Sequence, residues 1–232
     1  MRYSLSLEHM AAPLTVEQTP FSATLRESTR TVHERANNSR FMVRLLDGEL
    51  PLEEYARLAA QYYFIYEAIE SASDTMRGHS TGGPFVFDEL RRLPALAADL
   101  EFLAGPDWPA GIEPVPATED YVGRIRTVAH DWAGGYVAHH YTRYLGDLAG
   151  GQVVRRLLKD TYDVEGPGAL FYHFDDIDSV PAFRKRYRAL LDSTPWDTGE
   201  RALIVNEVRV AFEFNIAVLA DLTESSGAKR LR

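Results

Sequence analysis

The 232 residues carry 25 Lys and Arg against 34 Asp and Glu, a formal charge of −9, which argues against a general nucleic-acid partner because a phosphate backbone requires a basic face. Zero cysteines exclude disulfides, thiolate zinc sites, iron–sulfur clusters and cysteine nucleophiles. No apolar run approaches the roughly 18 residues of a membrane span, and the start lacks a basic-then-apolar secretory layout, so the expectation is a cytoplasmic protein with no membrane anchor. Only three cations are lysines, Lys159, Lys185 and Lys229. The rest are arginines, whose fork suits planar carboxylates, and small acidic molecules remain plausible ligands.

Residues 1–20 lack periodicity and hold Pro13 and Pro20, which predicts a loosely ordered arm. Ser22 then caps a predicted helix running to Asn37, with Leu25, Thr29, Val32 and Ala36 on one stripe. A short helix over Phe41 to Leu46 stops at Asp47-Gly48. Pro51, with Glu53 and Glu54 in the first turn, opens a long helix to Arg77. Its aromatic cluster Tyr62-Tyr63-Phe64-Tyr66 is assigned to the core. A helix over Phe87 to Leu103 is expected to bend at Pro94.

The longest helical pattern runs from Thr118 to Tyr162, weakened at Gly134-Gly135 and again from Gly146 to Gly151. Asp178 or Ser179, with Pro181, starts the next helix, which ends near Leu191; Thr198 caps a last one through Leu222. No alternating strand pattern exceeds Leu170 to Phe174. The fold class is therefore all-α, one helical domain over 21–223 followed by a flexible tail over 224–232. Dinucleotide-binding folds, which alternate strands and helices, are excluded.

Three glycines in six residues, Gly146, Gly150 and Gly151, need a reason, because each costs a helix roughly 0.5–1 kcal/mol relative to alanine. Close approach of another helix is one, and close approach of a flat ligand is the other. Gly78-His79-Ser80-Thr81-Gly82 has the spacing of a serine-hydrolase elbow but lacks the strand before it. None of the histidines has a glutamate three residues upstream, which disfavours a carboxylate-bridged metal pair and leaves a single-ligand metal such as porphyrin iron.

His33 is the candidate ligand. A lone histidine beside an apolar stripe is more often a packed residue, but Asn37 one turn on can accept from Nδ1 and leave Nε2 free. His139-His140 is read as structural or surface, since adjacent helical residues diverge by about 100°. Asp147, ordinarily a turn acid, is alternatively a carboxylate wired through water to Arg143 and Tyr66. Arg184 and Arg188, one turn apart, can clamp one anionic edge.

Together these residues resemble the heme oxygenase family. The segment Tyr144-Leu145-Gly146-Asp147-Leu148-Ala149-Gly150-Gly151-Gln152 is similar to its distal-helix signature, with Ala149 where many members carry serine, and Leu25 to His33 is similar to its proximal helix. Similarity extends through Phe41-Met42, Ile65 to Glu70, Phe183 to Arg188, and Ala211-Phe212 with Asn215. The resemblance spans about 22–222 and implies a multi-helix bundle with a kinked distal helix. It implies His33 as axial ligand to heme iron, with Asn37 behind it, and the helix at Gly146 and Gly150 over the other heme face.

The resemblance further implies that Asp147, with Arg143, Thr142, Tyr66 and Asn215, orders waters that deliver protons to dioxygen. It places Arg26, Arg30, Tyr141, Arg184 and Arg188 on the propionates and Phe212 against the porphyrin. The implied reaction is opening of heme at a meso carbon, the α-carbon being favoured, to biliverdin, carbon monoxide and ferrous iron. Electrons must come from a ferredoxin, flavodoxin or reductase, since no flavin or nicotinamide site is readable. Alternatives are a heme carrier or gas sensor on the same scaffold, and a thiaminase-like hydrolase, which the missing cysteine disfavours. One departure from the family is Asn37, where many relatives carry glutamate.

Overall fold

The structure is a computed structural model that describes residues 19–229. Apart from Thr19 and Pro20, the expected N-terminal arm lies outside the described residues, as does the tail beyond Lys229. Among the described residues no strand forms. Eleven α-helices appear there: α1 (Phe21–Ser28), α2 (Arg30–Asn37), α3 (Arg40–Leu46), α4 (Leu52–Met76), α5 (Leu93–Ala104), α6 (Trp108–Gly111), α7 (Pro116–Val128), α8 (Ala133–His140), α9 (Gly146–Tyr162), α10 (Val180–Ser193) and α11 (Thr198–Lys229).

The expected helix from Ser22 to Asn37 is two helices, broken at Thr29 (φ −110°, ψ 2°). Ser22 is not a cap. Its amide and hydroxyl both donate to the Asp192 carboxylate, at 2.7 and 2.9 Å, tying α1 to α10. Ser39 caps α3 by accepting from the Met42 amide, and Gly48 closes it in the left-handed region at φ +69°.

Pro94 starts α5 rather than bending it. A proline near a helix start loses no intrahelical bond, and the buried Glu70 carboxylate accepts the neighbouring amides of Arg92 and Leu93 at 2.6 and 3.1 Å. Residues Asp88–Leu90 form a separate 3-10 turn, as do Leu170–Tyr172, where a short strand was the other reading. Ser179 is the cap of α10. For α11 the cap is Asp197 instead of Thr198, its carboxylate accepting from the Glu200 amide at 2.8 Å. That helix passes Leu222 and continues to Lys229. The hydroxyls of Thr223 and Ser225 donate back to the Leu219 and Asp221 carbonyls within the helix, which satisfies both side chains without ending it.

Helices α4 and α11 form the centre, α4 packing on α5, α7 and α8, and α11 on α2, α3, α7 and α8. Their shared core is rich in buried tyrosine: Tyr55, Tyr66, Tyr121, Tyr136, Tyr144 and Tyr187. Such rings combine large apolar area with a hydroxyl needing a partner. Tyr136 finds Ser73 and the Phe85 carbonyl, and Tyr187 finds His140 Nδ1 at 3.0 Å.

The long pattern from Thr118 to Tyr162 divides twice. The first division falls at Ala129–Trp132, upstream of Gly134 and Gly135, which lie inside α8 because a Cβ there would come within 2.5 Å of Glu200 Oε1 or the Trp132 ring. The second is a π turn over Tyr141–Leu145, again upstream of the glycines, which themselves have regular helical geometry. A π turn widens the helix by one residue and commonly marks a functional site.

Candidate functional site

A cleft of about 570 Å³ opens between α2 and α3 on one side and the π turn with the start of α9 on the other; α4 and α11 close its back. That volume lies within the range of small-molecule sites. His33 and Asn37 line one wall; Thr142, Arg143, Gly146, Asp147 and Gly150 line the other. Two helices more than 100 residues apart in sequence thus bring the predicted imidazole and the predicted glycines to one cavity.

The three glycines separate by role. A Cβ on Gly146 or Gly150 would meet no atom within 4 Å, so these two face open space in the cleft. A Cβ on Gly151 would sit 2.7 Å from Tyr172 Cδ1. Both explanations offered by the sequence therefore hold, at different positions: Gly151 admits a neighbouring ring, and Gly146 and Gly150 leave a bare backbone facing a cavity.

His33 is exposed to the cleft. Phe212 meets its ring edge-on, with centroids 5.6 Å apart. Asn37 Nδ2 lies 3.5 Å from His33 Nδ1. In this arrangement the amide donates and Nδ1 accepts, which places the imidazole proton on Nε2.

Opposite, Asp147 is nearly buried, and burial pushes its carboxyl well above the usual carboxylate range. Tyr66 Oη donates directly to Asp147 Oδ2, where the sequence reading placed a bridging water. Arg143 Nη2 stands 3.7 Å from Oδ1, beyond hydrogen-bond reach. Arg143 Nη1 instead donates to Asn215 Oδ1 at 2.7 Å, and its guanidinium lies over the Tyr62 ring at 4.3 Å. Arg143 Nε and Nη2 are buried without a partner. Thr142 donates its hydroxyl to the Ala138 carbonyl at 2.8 Å.

Tyr62 lines the cleft and escaped the sequence reading, which assigned its whole cluster to the core. Its spacing of four from Tyr66 put it on the same face of α4, a signal that was available. Tyr121 also escaped notice: it is buried near Arg143 and Glu207, its hydroxyl is unpartnered, and burial raises its phenol beyond the usual range.

Beside the cleft, Tyr141 is largely buried, which raises its phenol, while Arg188, Arg26 and Arg184 pull the other way. Arg184 Nε is buried with no partner, and its pKa is lowered by burial and by Arg188. Two like charges thus stand together with one buried donor unsatisfied. Arg30 does not join them; its guanidinium pairs with Glu27 of α1 at 3.2 Å and with Glu34 of its own helix at 4.0 Å.

His139 and His140 are buried structural residues and not surface ones. His139 Nε2 meets Glu207 Oε1 at 3.1 Å, and Arg124 donates to the same carboxylate at 2.9 Å. Burial raises Glu207, but these hydrogen bonds outweigh it and bring the carboxyl to about 2. At Gly78–Gly82 the His79 imidazole accepts from the Thr81 and Gly82 amides, a turn with no nucleophile geometry.

The architecture is that of the heme oxygenase-like class of helical folds. A domain of unknown function with that fold from Shewanella denitrificans superposes at a TM-score of 0.70 over 92% of this chain and 96% of its own, at 14% identity. The family model described as heme oxygenase matches residues 19–221. A heme oxygenase of Pyropia yezoensis is 38% identical over 203 residues, covering 87% of this chain and 85% of that protein. The structure of heme oxygenase-1 from Synechocystis in complex with heme is similar at a TM-score of 0.84 and 32% identity, covering 92% and 98% of the two chains. That of Synechocystis heme oxygenase-2 with heme and NO gives 0.86 and 34%, covering 91% and 88%. The chain belongs to the heme oxygenase family.

Proposed function

We propose that this heme oxygenase holds heme in the cleft with His33 Nε2 on the iron and the Gly146–Gly150 backbone across the opposite face, and that it opens the ring at the α-meso carbon. The products are biliverdin, carbon monoxide and ferrous iron, formed with dioxygen and external electrons. The residues present fit such a group: an exposed imidazole on one wall, side-chain-free backbone on the other, apolar side chains at Met42 and Phe212, and, outside this lining, a cluster of Arg26, Arg184 and Arg188 around Tyr141 with one unsatisfied donor. Bound heme would supply the redox iron and would itself be the substrate.

The chain's own residues do the rest. Arg184 and Arg188, with Arg26 and Tyr141, would hold the propionates of bound heme through charge-assisted hydrogen bonds and so would set its rotation in the cleft and the meso carbon that reacts. Bare backbone at Gly146 and Gly150 lets the helix approach the reacting edge and excludes bulk solvent. Asp147 holds a proton on its carboxyl at the cleft wall, where burial favours the neutral form, and Tyr66 fixes that carboxyl's orientation. Arg143, anchored by Asn215 and Tyr62, keeps Nε and Nη2 without a hydrogen-bond acceptor and so available to ordered water. The basic rim formed by Arg26, Arg184, Lys185 and Arg188 suits an acidic one-electron donor such as a ferredoxin, a flavodoxin or a reductase. No flavin or nicotinamide bound to this chain is required.

The observation that carries this reading is the empty space over Gly146 and Gly150, across one cavity from an exposed His33. The test is hemin titration followed by ascorbate or reductase in air. Loss of the Soret band with growth of biliverdin absorption is expected, and a Soret band that persists would assign the protein to heme carriage. His33→Ala must change the iron coordination spectrum.

A further inference from the structure

Beyond the heme cleft, the far face of α9 carries a second concavity, of about 520 Å³, walled by Gln152, Arg155, Arg156 and Lys159 and by the segment from Val164 to His173. We propose that this groove binds a small polyanion bearing phosphate or carboxylate groups. It shares no lining residue with the heme cleft and does not depend on how heme is held.

Three observations support the proposal. The first is unspent charge. In a chain with an excess of acids, several arginines pair with a carboxylate: Arg35 with Glu213, Arg77 with Asp88, Arg124 with Glu207 and Arg186 with Glu89. Arg155 and Arg156 have no carboxylate within ion-pair distance among the described residues, although both border the groove. Arg155 lies close enough to Lys159, Glu165 and His173 to influence all three. Lys159 is shared with Glu165, and Asp160 and Asp175 lie near the rim.

The second is rigidity of the opposite wall. Asp99 accepts the amides of Gly168, Leu170 and Phe171 at 2.7, 2.9 and 2.8 Å. Gly166 and Gly168 take the left-handed region, at φ +74° and +98°. Gln152 Nε2 donates to the Tyr172 carbonyl at 3.0 Å, joining the two walls. Three anchors hold a loop that would otherwise be loose, so a ligand meets a preformed shape and little ordering cost.

The third is donor chemistry. Two guanidinium groups, which can donate N–H bonds to oxyanions, line a concavity and not a flat face, beside the Lys159 ammonium that Glu165 partly neutralises. Helix α9 is the partition: Gly151 lines the heme cleft, while the next residue, Gln152, lines the groove.

Calorimetric titration of the heme-free full chain at low ionic strength, with inorganic pyrophosphate in one arm and citrate in the other, tests this. Saturable, salt-sensitive binding is expected, weakened by about tenfold or more, roughly 1.4 kcal/mol, in Arg155→Gln/Arg156→Gln and retained in Arg184→Gln/Arg188→Gln. Tighter pyrophosphate assigns the groove to phosphates, and tighter citrate assigns it to carboxylates. Partial recovery in Arg155→Lys/Arg156→Lys separates charge from a folding defect. No heat from either anion, unchanged binding in the 155/156 variant, or loss only in the 184/188 variant would overturn the proposal.

Discussion

Tyr66, on α4, donates its phenolic proton straight to Asp147, at the start of α9. Because burial holds the Asp147 carboxyl well above its ordinary range, this contact orients a group that stays protonated further up the pH scale than a surface aspartate would. Asp147→Ala is expected to leave the Soret spectrum of the hemin complex intact and to slow ring opening by roughly 10²–10⁴-fold, the usual contribution of a positioned proton donor. Unchanged turnover would remove Asp147 from the mechanism. Stability gives an independent reading. A carboxyl whose folded pKa is raised contributes a penalty that grows as pH rises above the unfolded value of about 3.9. Asp147→Asn removes that penalty, so its melting temperature should exceed wild type at neutral pH and converge on it below about pH 4.

Gly150 and Gly151 are neighbours with opposite expectations. Gly150→Ala places its methyl in open space, so the heme-free protein should gain up to about 1 kcal/mol from helix propensity, while heme turnover falls because the methyl occupies the approach to the ring. Gly151→Ala forces the buried Tyr172 ring to shift and should cost about 1–3 kcal/mol. Denaturant melts of the two variants decide the matter: a destabilised Gly150→Ala would mean that this glycine serves packing.

Much of the fold was readable because its punctuation is local. Asp47-Gly48, the acid-rich first turn after Pro51 and the cap Ser179 each settle a boundary through their own side chains and backbone. The breaks that escaped depend on remote partners. Ser22 is recruited by Asp192, Pro94 is relieved by the Glu70 carboxylate one helix away, and Asp197 takes the cap at α11. The π turn has no side-chain signature of its own, since it arises from how Tyr141 to Leu145 pack between α8 and α9. At the site, the glycines stood out by spacing, whereas His33 was singled out by its neighbours and by the family resemblance. The directness of the Tyr66–Asp147 contact and the service of Tyr62 beneath Arg143 were not, because both depend on the distance between helices.

Arg184 is a cation with a buried, unpartnered Nε beside a like charge. Without a ligand that arrangement is unfavourable, because a buried donor without an acceptor costs about 1–3 kcal/mol. Arg184→Gln should therefore leave the heme-free protein as stable as wild type or slightly more so, while hemin affinity drops by about tenfold or more, the loss of one charge-assisted hydrogen bond. Thermal melts with and without hemin measure both. A variant that is destabilised without hemin and binds it normally would make Arg184 a structural residue and move the propionate site elsewhere.

Asn37 stands 3.5 Å from His33 Nδ1 and is neutral. A carboxylate at that position would draw the Nδ1 proton toward itself, give the imidazole more anionic character and stabilise the ferric state; an amide polarises the ring far less. Asn37→Glu should therefore lower the ferric/ferrous potential of the heme complex relative to wild type. Because position 37 is exposed at the end of α2, the substitution asks nothing of the core, and any shift in potential comes from the hydrogen bond rather than from repacking. Spectroelectrochemical titration of both proteins measures it directly, and an unchanged or raised potential in the variant would show that Asn37 does not govern the axial imidazole.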